Sequence, residues 1–309
     1  METIVELKNV TKVIKGKKII DNISFQVNKG EVFGFLGPNG AGKTTTIRMI
    51  VGLITITSGD IEVGGSSIKN NFEDAVRHIG AIVENPEMYK FLTGYQNLIH
   101  YARMSYGITK EKIAETVEIV GLSERIHDKV KTYSLGMRQR LGLAQCLLHD
   151  PQVLILDEPT NGLDPAGIRE IRDYVRLLAR EKNLAVIVSS HLLSEMEMMC
   201  DRIGIIQNGR LIDVQHVQEL VQGSSEATYE LEVIPSDQAM TLIGTHFPNV
   251  RANRSRNGLT VEIPKEQIPT LIKKLVTEDI QVFGIREVAK TLEDRFLELT
   301  TDKGAPSRG

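Results

Sequence analysis

The sequence has only two cysteines, Cys146 and Cys200, lying far apart and in no metal-ligand spacing. That excludes a disulfide framework or a zinc ribbon, and buried reduced thiols are the expectation. Long apolar runs are missing too: none approaches the roughly 18 residues of a membrane-spanning helix. Charge of either sign is nowhere in excess, since 37 Lys and Arg stand against 40 Asp and Glu, giving a formal net charge of −3. A nucleic-acid-binding domain would be strongly basic, so no nucleic-acid partner is expected. The first residues, Met1–Glu6, are acidic and show no signal-peptide pattern. What remains is an ordinary globular composition over 309 residues, enough for one large or two modest domains.

Three segments stand out from this background. Gly37-Pro38-Asn39-Gly40-Ala41-Gly42-Lys43-Thr44 is a complete G-x-x-x-x-G-K-[ST] phosphate loop. An apolar strand precedes it at Glu31–Leu36, and a helical pattern with Ile47, Ile50 and Val51 follows over Lys43–Leu53, which is the context that such a loop requires. Glycines 37, 40 and 42 let backbone N–H groups turn inward, so that the loop and the helix N-terminus cradle a triphosphate. Lys43 can reach the β- and γ-phosphates, the Thr44 hydroxyl is a natural Mg²⁺ ligand, and Thr45 is assigned to the α-phosphate.

The second segment, Val153–Pro159, is an apolar strand ending in two carboxylates. Asp157 is placed to hold Mg²⁺ through water. Glu158, facing the other way, suits the polarisation of the water that attacks the γ-phosphate. Asn161-Gly162-Leu163-Asp164 follows as a turn that could meet a neighbouring subunit. His191 closes the strand Val186–Ser190 at the carboxyl edge of the same sheet, where its imidazole can bond a γ-phosphate oxygen. The third segment, Ser134-Leu135-Gly136-Met137-Arg138-Gln139, opens a helix with a second anion-binding terminus. One nucleotide cannot obviously touch both this terminus and the phosphate loop of one fold. Two copies facing head to tail are the economical arrangement.

Strands at Ile4–Leu7 and Ile23–Val27, mostly helical residues 92–130, helices at Arg138–Leu148 and Ile168–Glu181, and buried strands at Val153–Leu156 and Ala185–Ser189 predict an α/β fold with a mainly parallel sheet covered on both faces. Texture changes after Val221, where Gln222–Ser225 reads as a linker. Strands near 227–234, 249–254, 259–263 and 280–288, a hairpin signal at Asn257-Gly258, and helices near 236–246, 265–278 and 291–299 predict a small α+β unit of split βαβ, ferredoxin-like type. The expected division is an ATPase domain over 1–222 with a helical subdomain over about 88–150, a small domain over 223–301, and a disordered tail over 302–309.

Val-Leu-Ile-Leu-Asp-Glu-Pro-Thr-Asn-Gly-Leu-Asp at 153–164, Ser-Ser-His at 189–191 and the segment 134–139 resemble the ATPase subunits of ABC transporters, over roughly residues 3–220. The resemblance implies the ABC type of P-loop NTPase, with a mixed sheet core and a helical subdomain. It implies ATP and Mg²⁺ sandwiched across a dimer, with Glu158 as catalytic base and His191 as switch. Lys43 and Thr44 would hold phosphate and metal, Ser134 and Gly136 would make the contacts across the dimer, and Gln139 and Asp164 are further candidates for binding the nucleotide. It further implies docking on separate transmembrane permease subunits at the cytoplasmic face of the membrane.

Ile14 stands where the family usually stacks an aromatic residue on adenine, which predicts weaker base contact. Glu84 stands where most members carry a Mg²⁺-touching glutamine. Glutamate there is similar to the branch that handles bacitracin and lantibiotic peptides, and Thr291–Leu299 also resembles drug and antibiotic exporter ATPases. The alternative is a soluble ABC ATPase acting on ribosomes or nucleic acid. A single ATPase unit, and the lack of sustained heptads over 54–133, argue against it.

Overall fold

In the computed structural model the described residues are 2–222, 227–248, 250–255 and 258–288. The chain divides into two compact units, Met1–Val217 and Gln218–Gly309. The division falls a few residues before the linker expected from composition, at the start of the helix Val217–Gln222.

Two sheets build the first unit. Six strands lie in the order Arg210–His216, Arg202–Gln207, Val32–Leu36, Ala185–Ser190, Val153–Asp157, Ile79–Ile82, parallel except for the first pair. Every residue of Val32–Leu36, Val153–Asp157 and Ala185–Ser190 is buried, which explains their unbroken apolar runs. The second sheet is antiparallel, in the order Lys17–Asn28, Thr3–Ile14, Ser58–Val63, Ser66–Ser67. Together the two sheets make the mixed sheet core that the family resemblance implies. The first two strands of the antiparallel sheet run 12 residues each, well beyond the alternating cores at Ile4–Leu7 and Ile23–Val27, because pairing with each other carries them through several register shifts. Val5, Leu7, Phe25 and Val27 of this sheet share one core with Phe33, Phe35, Ile155 and Ile187 of the other. The rings of Phe25 and Phe33 stack at 5.0 Å.

Helices Gly94–Ala102, Lys110–Ile119 and Leu135–Leu147 form the helical region. A capping box starts the first of them: the Thr93 hydroxyl accepts from the Gln96 N–H while the Gln96 side chain accepts from the Thr93 N–H. The helix that follows the strand Val153–Asp157, Pro165–Lys182, begins at its Asp164 cap and ends at left-handed Asn183.

The second unit has the order β-α-β-β-α-β, with Ala227–Ile234, Ser236–His246, Arg251–Ser255, Gly258–Ile263, Ile268–Thr277 and Gln281–Val288. Its sheet order is Arg251–Ser255, Gly258–Ile263, Ala227–Ile234, Gln281–Val288, antiparallel throughout, a split βαβ arrangement. Leu231, Val233, Leu259 and Val261 from the sheet pack with Ala239, Ile243, Leu271 and Leu275 from the helices. The expected helix at 291–299, Asn257 of the expected turn, residues 223–225 of the linker and the tail over 302–309 lie outside the described residues.

Candidate nucleotide site

Three neighbouring parallel strands end together, with Leu36 opposite Ser190 and Asp157 opposite Ser189. Their carboxyl edge is where open α/β sheets bind ligands. Leaving Val32–Leu36, the chain makes the glycine loop and enters the helix Lys43–Ile50. Gly42 caps that helix at φ 115°, a left-handed value that glycine alone takes without strain. A Cβ at Gly37 would stand 2.3 Å from the Ile206 carbonyl oxygen, so this turn closes only without a side chain.

The result is a cavity of about 280 Å³ lined by Pro38–Gly40 and Gly42–Thr45, with Ile19, Glu158, Asn161 and His191. Ala41 is buried beneath the loop instead. Lys43, only 6% exposed, donates from Nζ to the Gly37 carbonyl at 2.7 Å and stands 3.4 Å from Glu158 Oε1. The other carboxylate oxygen, Oε2, is 2.8 Å from His191 Nδ1. Lysine, glutamate and histidine thus form one chain of contacts across the cavity.

Glu158 reaches this position because its φ of 51° turns the backbone out of the strand. Asp157 stays behind at 2% exposure, so the two adjacent carboxylates have different surroundings. Ser189 joins them: its Oγ donates to Asp157 Oδ1 at 2.6 Å and accepts from the Glu158 N–H at 3.0 Å. The Glu158 N–H also points at the Ser189 carbonyl, at 3.2 Å.

A buried cation, a glycine loop and a helix N-terminus opening on one cavity fit a polyphosphate. Thr44 and Asp157 offer a hydroxyl and a carboxylate, the hard oxygen donors that suit Mg²⁺. Among the described residues no group of three or more His, Cys, Asp or Glu is set to hold a metal ion. A nucleotide-bound Mg²⁺ asks for no more than one or two protein carboxylates.

The other candidate residues lie apart from this cavity. Ser134 is exposed and caps the helix Leu135–Leu147, its Oγ accepting from the Met137 N–H at 3.2 Å. Gly136 has open space, with nothing nearer than 3.9 Å to an added Cβ, and that nearest atom belongs to Leu163. Asp164 Oδ1 accepts from the Gly167 N–H at 2.9 Å. Ser134, Gly136 and the Asp164 turn are therefore neighbours of one another and do not line the cavity. Gln139 is 2% exposed, with an Oε1 that has no hydrogen-bond partner. Ile14 is 42% exposed and does not line the cavity, whereas Ile19 does. Glu84 sits at φ 69°, exposed, in an ion pair with Arg48 of the phosphate-loop helix.

Sequence reading missed Ile19, Asn161 and the supporting hydroxyls of Thr160, Ser189 and Ser190. The two serines just before His191 were the available signal for a strand end rich in short hydrogen-bonding side chains.

A family model described as "ABC transporter" matches residues 20–161. The chain is 59% identical over 300 residues to the ABC transporter ATP-binding protein YhcH of Bacillus subtilis, covering 97% of each. To the bacitracin transport ATP-binding protein BcrA of Bacillus licheniformis it is 41% identical over 300 residues, covering 97% of this chain and 98% of the relative. A solved ATP binding subunit of an ABC transporter superposes with a TM-score of 0.62 at 28% identity, covering 70% of this chain and 91% of that one. The phosphate loop and its paired carboxylates are thus those of a known family: the chain belongs to the ATP-binding subunits of ABC transporters and is an ATPase.

Proposed function

We propose that this ATPase drives export of peptide antibiotics or other drugs, working as a dimer on separate transmembrane permease subunits at the cytoplasmic face of the membrane. The chain of contacts Lys43–Glu158–His191 in one cavity carries the catalytic part of this reading. The full-length similarity to a bacitracin transport subunit supports the cargo. Among the described residues no helix is long and apolar enough to cross a membrane, so the transport path is assigned to partners.

In the cycle, Lys43 exchanges its contacts with Gly37 and Glu158 for phosphate oxygens. Glu158 then takes the proton of the attacking water, and His191 donates a hydrogen bond where charge develops on the γ-phosphate. Mg²⁺, held by Thr44 and through water by Asp157, would neutralise charge on the phosphates. Ser189 keeps the two carboxylates apart in role by fastening Asp157 and the Glu158 backbone together. Ser134 and Gly136, exposed at a helix start away from the cavity, are assigned to the nucleotide of the second copy. For the permease we assign the segment Met88–Asn97, where Tyr89 and Phe91 are exposed beside a cavity of about 290 Å³ formed by Asn85–Met88, Lys90, Leu135 and Arg138. Glu84, between this segment and the phosphate-loop helix, would couple nucleotide state to the partner. To touch a metal, its carboxylate would first have to leave Arg48.

Light scattering on Glu158→Gln with saturating ATP and Mg²⁺ tests the assembly: dimers are expected, and monomers would overturn it. Deleting the coding sequence from its host should sharpen growth inhibition by bacitracin or a lantibiotic. Unchanged sensitivity across such peptides would remove the cargo assignment while leaving the ATPase intact.

A further inference from the structure

Behind the cavity, a single buried carboxylate joins the two segments that carry Glu158 and His191. Glu195 lies on the helix Leu193–Met199 and is 6% exposed. Its Oε2 accepts from the Thr160 hydroxyl at 2.5 Å and from the Ser190 hydroxyl at 3.3 Å. Both donors are buried, Thr160 at 5% and Ser190 at 1%. Thr160 comes two residues after Glu158, and Ser190 immediately precedes His191. The Ser190 Oγ also accepts from the Leu192 N–H at 2.9 Å, which closes the turn carrying His191 onto the same hydroxyl.

A carboxylate this deep is costly unless donors meet it. The contact with Thr160 falls in the short range of charge-assisted O–H···O⁻ bonds. Packing alone would be met by an apolar residue of similar size, as Met196 and Met199 on the same helix show by their burial. What the carboxylate adds is direction. It draws hydroxyls from a turn and from a strand end to one oxygen, and those two segments place the two groups whose mutual distance is 2.8 Å.

We propose that Glu195 is a positioning residue for ATP hydrolysis, fixing how the Glu158 turn stands against the His191 turn through Thr160 and Ser190. The proposal rests on the reading of Glu158 as base and His191 as switch. Neither Glu195 nor Thr160 lines the nucleotide cavity, so both act through those two groups and not on the nucleotide.

The test is steady-state ATPase of the full-length chain with ATP and Mg²⁺, run beside ADP titrations. Glu195→Ala is expected to lower kcat about 10- to 100-fold, the scale of a misplaced catalytic group. KM for ATP and Kd for ADP should stay within about threefold, because an interaction made for the transition state is what is lost. Glu195→Gln, whose amide oxygen still accepts both hydroxyls, should recover most of kcat. Thr160→Val, which keeps the volume and removes one donor, should lower kcat in the same sense and add little when combined with Glu195→Ala. Native kcat in Glu195→Ala, a parallel loss of kcat and nucleotide binding, or a glutamine variant as poor as the alanine one would each overturn the proposal. If Glu195→Ala does not fold, Thr160→Val decides: reduced kcat supports the role and native kcat overturns it. Glu158→Gln serves as reference, since native hydrolysis there would bring down the reading of the base rather than the role of Glu195.

Discussion

Replacing Glu158 with glutamine separates two jobs that the geometry gives to one carboxylate. Glu158 Oε1 stands 3.4 Å from the Lys43 ammonium, the group a phosphate would need. At an effective dielectric of about 20, that separation corresponds to roughly 5 kcal/mol of gross attraction. Glu158 keeps 22% of its side chain in solvent, so desolvation and screening offset most of this, leaving on the order of 1 kcal/mol net. Glutamine has nearly the same shape and can still meet His191, but it cannot hold the lysine by charge. ADP should therefore bind about fivefold more tightly to Glu158→Gln, because each 1.4 kcal/mol is tenfold in affinity. Hydrolysis should move the opposite way: loss of a positioned base costs about 10²- to 10⁴-fold. Equilibrium titration with a fluorescent ADP gives the first quantity, and single-turnover release of labelled phosphate gives the second. Unchanged or weaker ADP binding would refute the competition between Glu158 and phosphate for Lys43. Hydrolysis within about tenfold of native would refute Glu158 as the base.

Ser189→Ala removes the hydroxyl that donates to buried Asp157, and should cost about 1–3 kcal/mol, lowering the thermal midpoint of the first unit by roughly 2–12 °C. A calorimetric midpoint equal to native would mean that this bond carries no stability. Gly37→Ala puts a methyl group 2.3 Å from the Ile206 carbonyl, and should destabilise by about 1–3 kcal/mol while abolishing tight ATP binding. Native nucleotide affinity in that variant would show that the loop adapts. Burial pushes the Cys146 thiol from an ordinary 9.0 up to about 12, and the Cys200 thiol is pushed up as well. The folded chain then keeps protons that the unfolded chain releases, so this contribution is fully present below about pH 9 and is lost as pH rises toward 12. Unfolding free energies from urea titrations should fall over that window by up to about 1.4 kcal/mol per pH unit for Cys146, and less steeply in Cys146→Ala. Identical slopes in the two proteins would remove Cys146 as the cause.

The parts legible in the sequence are those whose signals are local. Glycine spacing, a strand with every residue buried and a carboxylate pair at its end are written within a few residues of one another, so the Lys43 side of the site could be assembled by reading along the chain. The antiparallel sheet was less visible. Ser58–Val63 begins Ser-Gly-Asp, a poor strand by propensity, and it is held in place by pairing with Thr3–Ile14 some 50 residues earlier in the chain. Glu84 and Gln139 show a different limit, in which a position in a motif does not reveal the contacts that packing gives it. Glu84 turns to Arg48 of the phosphate-loop helix, and Gln139 is buried in its own helix.

The supporting bonds explain why so much of the site escaped a linear reading. Ser189 and Ser190 are adjacent, but they serve opposite directions: one fastens Asp157 and the Glu158 backbone, the other fastens Glu195 and with it Thr160. Alternation along the strand sends neighbouring side chains to opposite faces, so one strand end can brace both Asp157 and the turn after Glu158. The same geometry leaves Ser134, Gly136 and Asp164 outside the cavity, grouped around a separate helix start. In the proposed dimer a nucleotide touching both groups would take two chains, while Glu158 and His191 are braced by bonds that one chain makes for itself. Hydrolysis defects from Glu195→Ala should therefore appear without any defect in ATP-dependent dimerisation, whereas Ser134→Ala should weaken dimerisation while leaving the Lys43–Glu158–His191 contacts in place. Sedimentation of the two variants with ATP and Mg²⁺ distinguishes them, and equal loss of dimer in both would mean that bracing and assembly are one function.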